Sequence, residues 1–154
     1  WRLLFPADNA VSIAEFQNIV PNITASPAPD IVVGVRDEGG SRFTSLRVIP
    51  GRVTHWLWCR MLGFLLASRF RGFRAEFQCF HGEAAEQIFS QTKLDRSSGA
   101  VEPLALGERL GYLLRGVPVS YEAHAQKISL RQYLQMIGEA IKIRWWLARK
   151  KYKL

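Results

Sequence analysis

Residues 73–80 alternate: Phe73, Ala75, Phe77 and Cys79 fall on one side, Arg74, Glu76 and Gln78 on the other. A period of two is the mark of a strand with one face buried, and a strand needs partners. The β-branched run at 31–36, Ile-Val-Val-Gly-Val-Arg, supplies one. Asp37-Glu38-Gly39-Gly40 reads as a turn and 43–49 as a returning strand, so a hairpin is expected there. Other stretches carry a helical signal. Residues 8–20 read as a short helix with Ser12 and Glu15 as a capping box, ended by Pro21. Three prolines in 21–29 make that stretch a loop. Residues 53–70 read as a buried helix broken at Arg71-Gly72. Residues 104–115 place Leu106, Leu110, Leu113 and Leu114 along one stripe, with Gly116 as the cap. A short strand is expected over 117–121. Ser129 caps a last helix whose apolar stripe is Leu130, Tyr133, Leu134, Ile137 and Ile141. Residues 82–94 fit both patterns, helix at first and strand-like alternation after Gln87. Helices mixed with strands in 154 residues imply an α+β fold: a small mixed sheet with packed helices and a protruding basic C-terminal helix. The expected organisation is an N-terminal extension of helix, loop and hairpin over 1–52, an α+β core over 53–141 and a basic tail over 142–154.

Charge is distributed unevenly. Residues 142–154 hold six cations (Lys142, Arg144, Arg149, Lys150, Lys151, Lys153) and no acid; residues 60–74 hold four (Arg60, Arg69, Arg71, Arg74) and again no acid. These two stretches carry ten positive charges against a net +8 for the chain, so the remainder is at −2. Arg outnumbers Lys by 15 to 6, and the planar guanidinium suits two-pronged phosphate contact and stacking. In the tail, Trp145, Trp146 and Tyr152 are interleaved with the cations. Phosphate backbones need positive charge and unpaired bases stack on aromatic faces, so this combination points to RNA. A frayed solvated helix end, an anionic membrane surface or an acidic protein partner would use the same residue types. In Arg69-Phe70-Arg71-Gly72-Phe73-Arg74, three arginines around a bend could grip a phosphate turn, or form an ordinary charged loop.

Other chemistry finds less support. The longest apolar run, residues 53–67, is short for a bilayer crossing and contains Arg60, which costs about 2.5–3.5 kcal/mol in mid-membrane; no transmembrane segment is expected. Two cysteines do not make a disulfide framework. His55 and Cys59 share a helix face at i, i+4, and Cys79 and His81 share a strand side at i, i+2. The four would make a zinc set if the two pairs faced each other, although buried cysteines usually only fill space. There is no Gly-rich phosphate loop, nucleophile elbow or H-E-x-x-H motif. No nucleophile, base and orienting group can be named together, so no catalytic residue, cofactor or small-molecule substrate is expected.

From residue 73 onward the order of elements is suggestive. After the strand at 73–80 and a turn at His81-Gly82, residues 87–94 would be a returning strand, with Ser90, Gln91 and Thr92 forming a polar run near its end. Gly107, Leu110, Leu114, Arg115 and Gly116 mark a helix that closes on Gly plus an apolar residue, and a final helix starts after Ser129. Over about residues 73–140 this resembles the 5S-rRNA-binding family of large-subunit ribosomal proteins, especially its divergent mitochondrial members. The spacing to Gly116 is shorter than in that family, and residues 1–50 have no counterpart of its basic N-terminal arm. The resemblance implies a structural role on rRNA among neighbouring ribosomal proteins in the mitochondrial matrix. The expectation is therefore a non-catalytic structural component of a mitochondrial ribosome, contacting rRNA phosphates through Arg69, Arg71, Arg74, Arg144, Arg149, Lys150, Lys151 and Lys153. Two alternatives stay open. One is an accessory subunit of a mitochondrial membrane (respiratory) complex, with residues 53–70 against hydrophobic subunits. The other is a zinc-stapled interaction module built on His55, Cys59, Cys79 and His81.

Overall fold

The β-branched run at 31–36 is the strand that the sheet is built around. A computed structural model describes residues 1–5, 11–36, 60–66, 77–94, 100–120 and 130–152. Strands β1 (Arg2–Leu4), β2 (Ile31–Arg36), β3 (Gln78–Phe80) and β4 (Leu114–Val119) form one mixed sheet in the order β1-β3-β2-β4. β3 is antiparallel to both its neighbours, with Cys79 opposite Leu3 on one side and Val32 on the other. β2 and β4 are parallel, in register from Ile31–Leu114 to Arg36–Val119. Pro118 lies in β4, an edge strand, where a missing N–H removes no ladder bond. The sheet draws two strands from residues 1–52 and two from 53–141. The exposed Arg2–Glu86 ion pair, 2.6 Å long, adds at most about 1 kcal/mol, so ladder pairing holds β1 in place.

Both faces of the sheet are covered. Helix α1 (Phe16–Ile23) lies on one face, where Ile19, Val32, Phe77, Cys79, Val117 and Val119 are buried together. On the other face lie α2 (residues 60–66), α3 (Gly82–Phe89), α4 (Val101–Arg109) and α5 (Leu130–Ala148), around Ile31, Val33, Phe80, Ile88, Leu104, Leu106 and Ile143. This is the expected α+β architecture of a small mixed sheet with packed helices.

Several element readings need correction. Ser12 does begin a turn, its Oγ accepting from the Ala14 N–H, but the turn is 3-10 and leads into α1, which runs through Pro21 to Ile23. Burial of Ile19, with Phe16 and Ile23 packed beside it, outweighs the backbone hydrogen bond that the proline removes. Gln78 is fully buried, because β3 is an interior strand: its period of two separates two cores rather than core from solvent. Its amide donates to the Ala100 carbonyl at 2.8 Å. Residues 82–89 are helix, burying Ala84, Ala85 and Ile88, and 90–94 are a turn and coil, so no strand returns over 87–94. α4 starts earlier than expected and stops earlier. Glu102 and Pro103 suit the first turn of a helix, and Gly111, at φ +87°, closes it five residues ahead of Gly116. The Tyr112 N–H reaches back to Gly107 O at 3.0 Å and that of Gly111 to Glu108 O at 3.2 Å, a Schellman closure. Leu114 to Gly116 then belong to β4.

The last helix is the largest correction. Its buried stripe is Ala140, Ile143 and Leu147, with Met136 packed beside them, at i+4, i+7 and i+11 from Met136. Leu134 and Ile141, expected inside, are exposed. The side chains of Leu130 and Tyr133 lie outside the described residues. The helix does not leave the core near residue 142 and does not protrude: Ile143, Leu147 and Tyr152 are all buried. The readings at 37–40, 43–49, 53–59 and 67–76 fall outside the described residues.

Two glycines make opposite predictions for one substitution. A Cβ on Gly107 would sit 2.4 Å from Ile31 Cδ1 and 3.3 Å from Ile88 Cδ1, where α4 crosses the sheet. A Cβ on Gly138, in the middle of α5, would meet nothing within 4 Å. Gly107→Ala is expected to destabilise by about 1–2 kcal/mol through overpacking. Gly138→Ala is expected to stabilise by about 0.5–1 kcal/mol through helix propensity. Urea midpoints of the two variants check both signs.

Candidate nucleic-acid interface

The end of α5 is a pinned structure, built around one buried carboxylate. Glu102, in the first turn of α4, is 0% exposed. A carboxylate in that position needs hydrogen-bond donors to replace water. It accepts from the Lys93 N–H (3.0 and 3.1 Å), the Leu94 N–H (2.9 Å) and the Tyr152 hydroxyl (2.7 Å). The positive end of the α4 dipole adds to these. One side chain thereby ties together the segment after α3, the start of α4 and the C-terminal end of the described chain.

The backbone between α5 and Tyr152 is shaped for that return. Lys150 takes φ 50°, the left-handed conformation that ends a helix. The Lys151 N–H donates to Trp146 O at 3.0 Å and the Lys150 N–H to Leu147 O at 3.3 Å. This repeats the Schellman closure at Gly111, here with a lysine at the left-handed position. Tyr152 then packs edge-on against Trp146, ring centroids 6.2 Å apart. Lys93 closes the arrangement from the side. Its Nζ donates to Lys151 O at 2.7 Å and lies 4.9 Å from the Tyr152 ring centroid and 5.7 Å from that of Trp146.

On the outer surface of this knot, cations gather. The Arg149 guanidinium lies 4.8 Å from the Trp145 ring centroid and the Lys151 ammonium 4.5 Å. Trp145 is half-exposed, and its ring holds two cations at fixed places instead of offering a bare stacking surface. Arg144 and Lys150 are exposed beside them. Among the described residues, none of Arg144, Arg149, Lys150 and Lys151 forms an ion pair. A shallow cavity of about 300 Å³, lined by Ser90, Gln91, Lys151 and Tyr152, adjoins the patch. The arrangement is a cationic surface whose chemistry is to attract and orient anions.

Of the eight cations expected to contact RNA, the structure brings Arg149 and Lys151 together on Trp145 and leaves Arg144 and Lys150 exposed at the same end of α5. Arg69, Arg71, Arg74 and Lys153 lie outside the described residues, as do His55 and Cys59. Cys79 is buried on the α1 side of the sheet; burial pushes its thiol pKa up, partly offset by the nearby amino terminus. His81 is exposed at the start of α3, with Trp1 edge-on at 5.5 Å. Among the described residues no group of three or more His, Cys, Asp or Glu is placed to hold a metal ion. Lys93 and Glu102 escaped the sequence reading. An acid followed by proline at the head of an apolar run is a helix-start signal that could have exposed Glu102; nothing local marks Lys93, whose partner Lys151 is far along the chain. Comparison of the chain with family models, curated proteins and solved structures finds no match.

Burial first, then the bond to Glu102 and its negative charge, holds the Tyr152 phenol pKa above the ordinary tyrosine range. The native state therefore keeps a proton that the unfolded chain gives up above about pH 10. The stability this group contributes is complete below that pH and is lost as pH rises past it. Tyr152→Phe is expected to cost about 1–3 kcal/mol at neutral pH and to flatten the decline above about pH 10. Urea unfolding of both proteins at neutral and alkaline pH measures this.

Proposed function

We propose that the protein is a non-catalytic structural component of a ribosome, of the mitochondrial type, that contacts rRNA phosphates through the cations at the end of α5. One observation carries the proposal: Arg149 and Lys151 are held against Trp145 and Arg144 and Lys150 stand exposed beside them, with none of the four ion-paired among the described residues. Cations gathered at one helix end with no acid among them concentrate positive potential, which favours a polyanion. Arg69, Arg71, Arg74 and Lys153 are assigned to the same role on the strength of the sequence. Neighbouring ribosomal proteins would be the remaining partners, and the matrix the compartment. No helix of the described residues is long and apolar enough to cross a membrane.

Salt dependence tests the proposal. Binding of the full chain to RNA should weaken with salt, and each neutralised phosphate contributes about 0.7–0.9 to the slope of log K against log salt. Arg149→Gln and Lys151→Gln should each lower the slope by about that amount. In the cell of origin, the protein should sediment with a large particle and be released by RNase. Affinity that is flat with salt, or a protein freed only by detergent, overturns the reading.

A further inference from the structure

α5 carries a second apolar line, directed away from the core. Leu134, Ile141 and Trp145 stand at i, i+7 and i+11, on one side of the helix, and they are 61%, 51% and 43% exposed. Single exposed apolar residues are ordinary on a surface; an aligned row is not. Gly138 falls on the same line, and the space where its Cβ would project is open for at least 4 Å. The line therefore has a notch between two large side chains. Arg131, Lys142 and Arg149 run along one flank and Arg144 along the other, all exposed. The helix holds one acid, Glu139, and it is turned inward at 7% exposure, accepting from Gln135 at 3.0 Å. Among the described side chains, the outer face of α5 is apolar along its middle and bordered by cations, with no exposed acid.

We propose that this face docks an acidic amphipathic helix of a protein partner, with one apolar side chain of the partner seated over Gly138 and its carboxylates against Arg131, Lys142 and Arg149. Helix recognition of this kind uses apolar anchors three and four residues apart, with charge at the rim setting the partner. Charge complementarity selects an acidic occupant. A second copy of this chain would set cations of one α5 against those of the other. RNA offers no aliphatic groups to cover Leu134 and Ile141. A bilayer favours a broad apolar wedge, whereas this line is one residue wide and notched, a shape suited to receiving a side-chain knob. The surface is separate from the cation cluster at Trp145 except where Arg144, Trp145 and Arg149 border both.

Site-directed photo-cross-linking of the full chain in the cells that make it tests the proposal. Benzoylphenylalanine replaces Leu134 in one protein, Ile141 in a second, and the exposed Ser120, just after β4, in a control. The adducts from positions 134 and 141 should contain a protein peptide with net negative charge and apolar residues three and four apart, and position 120 should not yield it. Arg131→Glu with Lys142→Glu, both on the exposed rim, should cut the yield of that adduct about tenfold or more. Adducts with phospholipid, RNA, a second copy or a peptide of any other composition overturn the proposal. So does the absence of adducts, or a yield that charge reversal leaves unchanged.

Discussion

The C-terminal third of the molecule depends on the carboxylate of Glu102. A buried charge is tolerated only when hydrogen bonds replace its hydration. Here two backbone N–H groups and a phenol do so. The consequence reaches beyond local satisfaction, because the donors come from segments far apart in the chain, which the Lys93 Nζ bond to Lys151 O also joins. The N–H groups of Lys93 and Leu94 fix the chain after α3, and the Tyr152 hydroxyl fixes the chain after α5. Without Glu102, Tyr152 would bury an unpaired hydroxyl, Trp146 would lose its edge-on neighbour and the turn at Lys150 would have no reason to hold its strained φ. Half-satisfied networks are worse than apolar cores, so this one forms as a unit or not at all.

Local pattern made part of this legible. The β-branched run at 31–36 is β2 with the same bounds, and alternation marked the segment that holds β3. Helical spacing located α5, and the apolar run at 53–70 located the described part of α2. The misreadings share one cause: each needed to know what lay on the far side of an element. Period two in residues 77–80 is real, yet both sides are interior, so the residue assigned to solvent, Gln78, is buried and hydrogen-bonded. Pro21 ends a helix by local rules, and α1 runs through it because Ile19 and Ile23 pack against the sheet. Gly116 looked like a cap because four leucines preceded it, but Gly111 reaches positive φ first and frees Leu114 to pair with Ile31.

α5 shows the same limit in its clearest form. The helix has two apolar lines, Leu134–Ile141–Trp145 and Met136–Ala140–Ile143–Leu147, roughly opposite one another. Apolar content favours neither decisively: of the expected stripe Leu134 and Ile141 are exposed, while Ile137 packs against the core. Volume decides. Ala140 permits close approach to the core, while Ile143 and Leu147 extend the contact past residue 142, where rising positive charge suggested that the helix departs. The order of residues sets the cations at this end of the chain; what it does not show is that the backbone beneath them stays docked. A docked helix with charged residues on its outer side differs in kind from a charged tail.

That difference bears on how such a surface would bind a polyanion. A free tail must give up side-chain freedom worth up to about 2 kcal/mol for each Lys or Arg it immobilises. Cations already resting on an aromatic ring have lost part of that freedom during folding, and each contact returns about 0.5–1 kcal/mol at an exposed site. Arg149 and Lys151 both rest on Trp145, and Lys151 is further restrained because its carbonyl accepts from Lys93. Lys93 is in turn held by its N–H on Glu102. The positions of the surface cations are thus set, through two short links, by the buried carboxylate. Under the proposed reading, loosening Tyr152 or Glu102 would weaken RNA contact without touching a residue that meets RNA, by restoring to the cations the freedom that folding had removed.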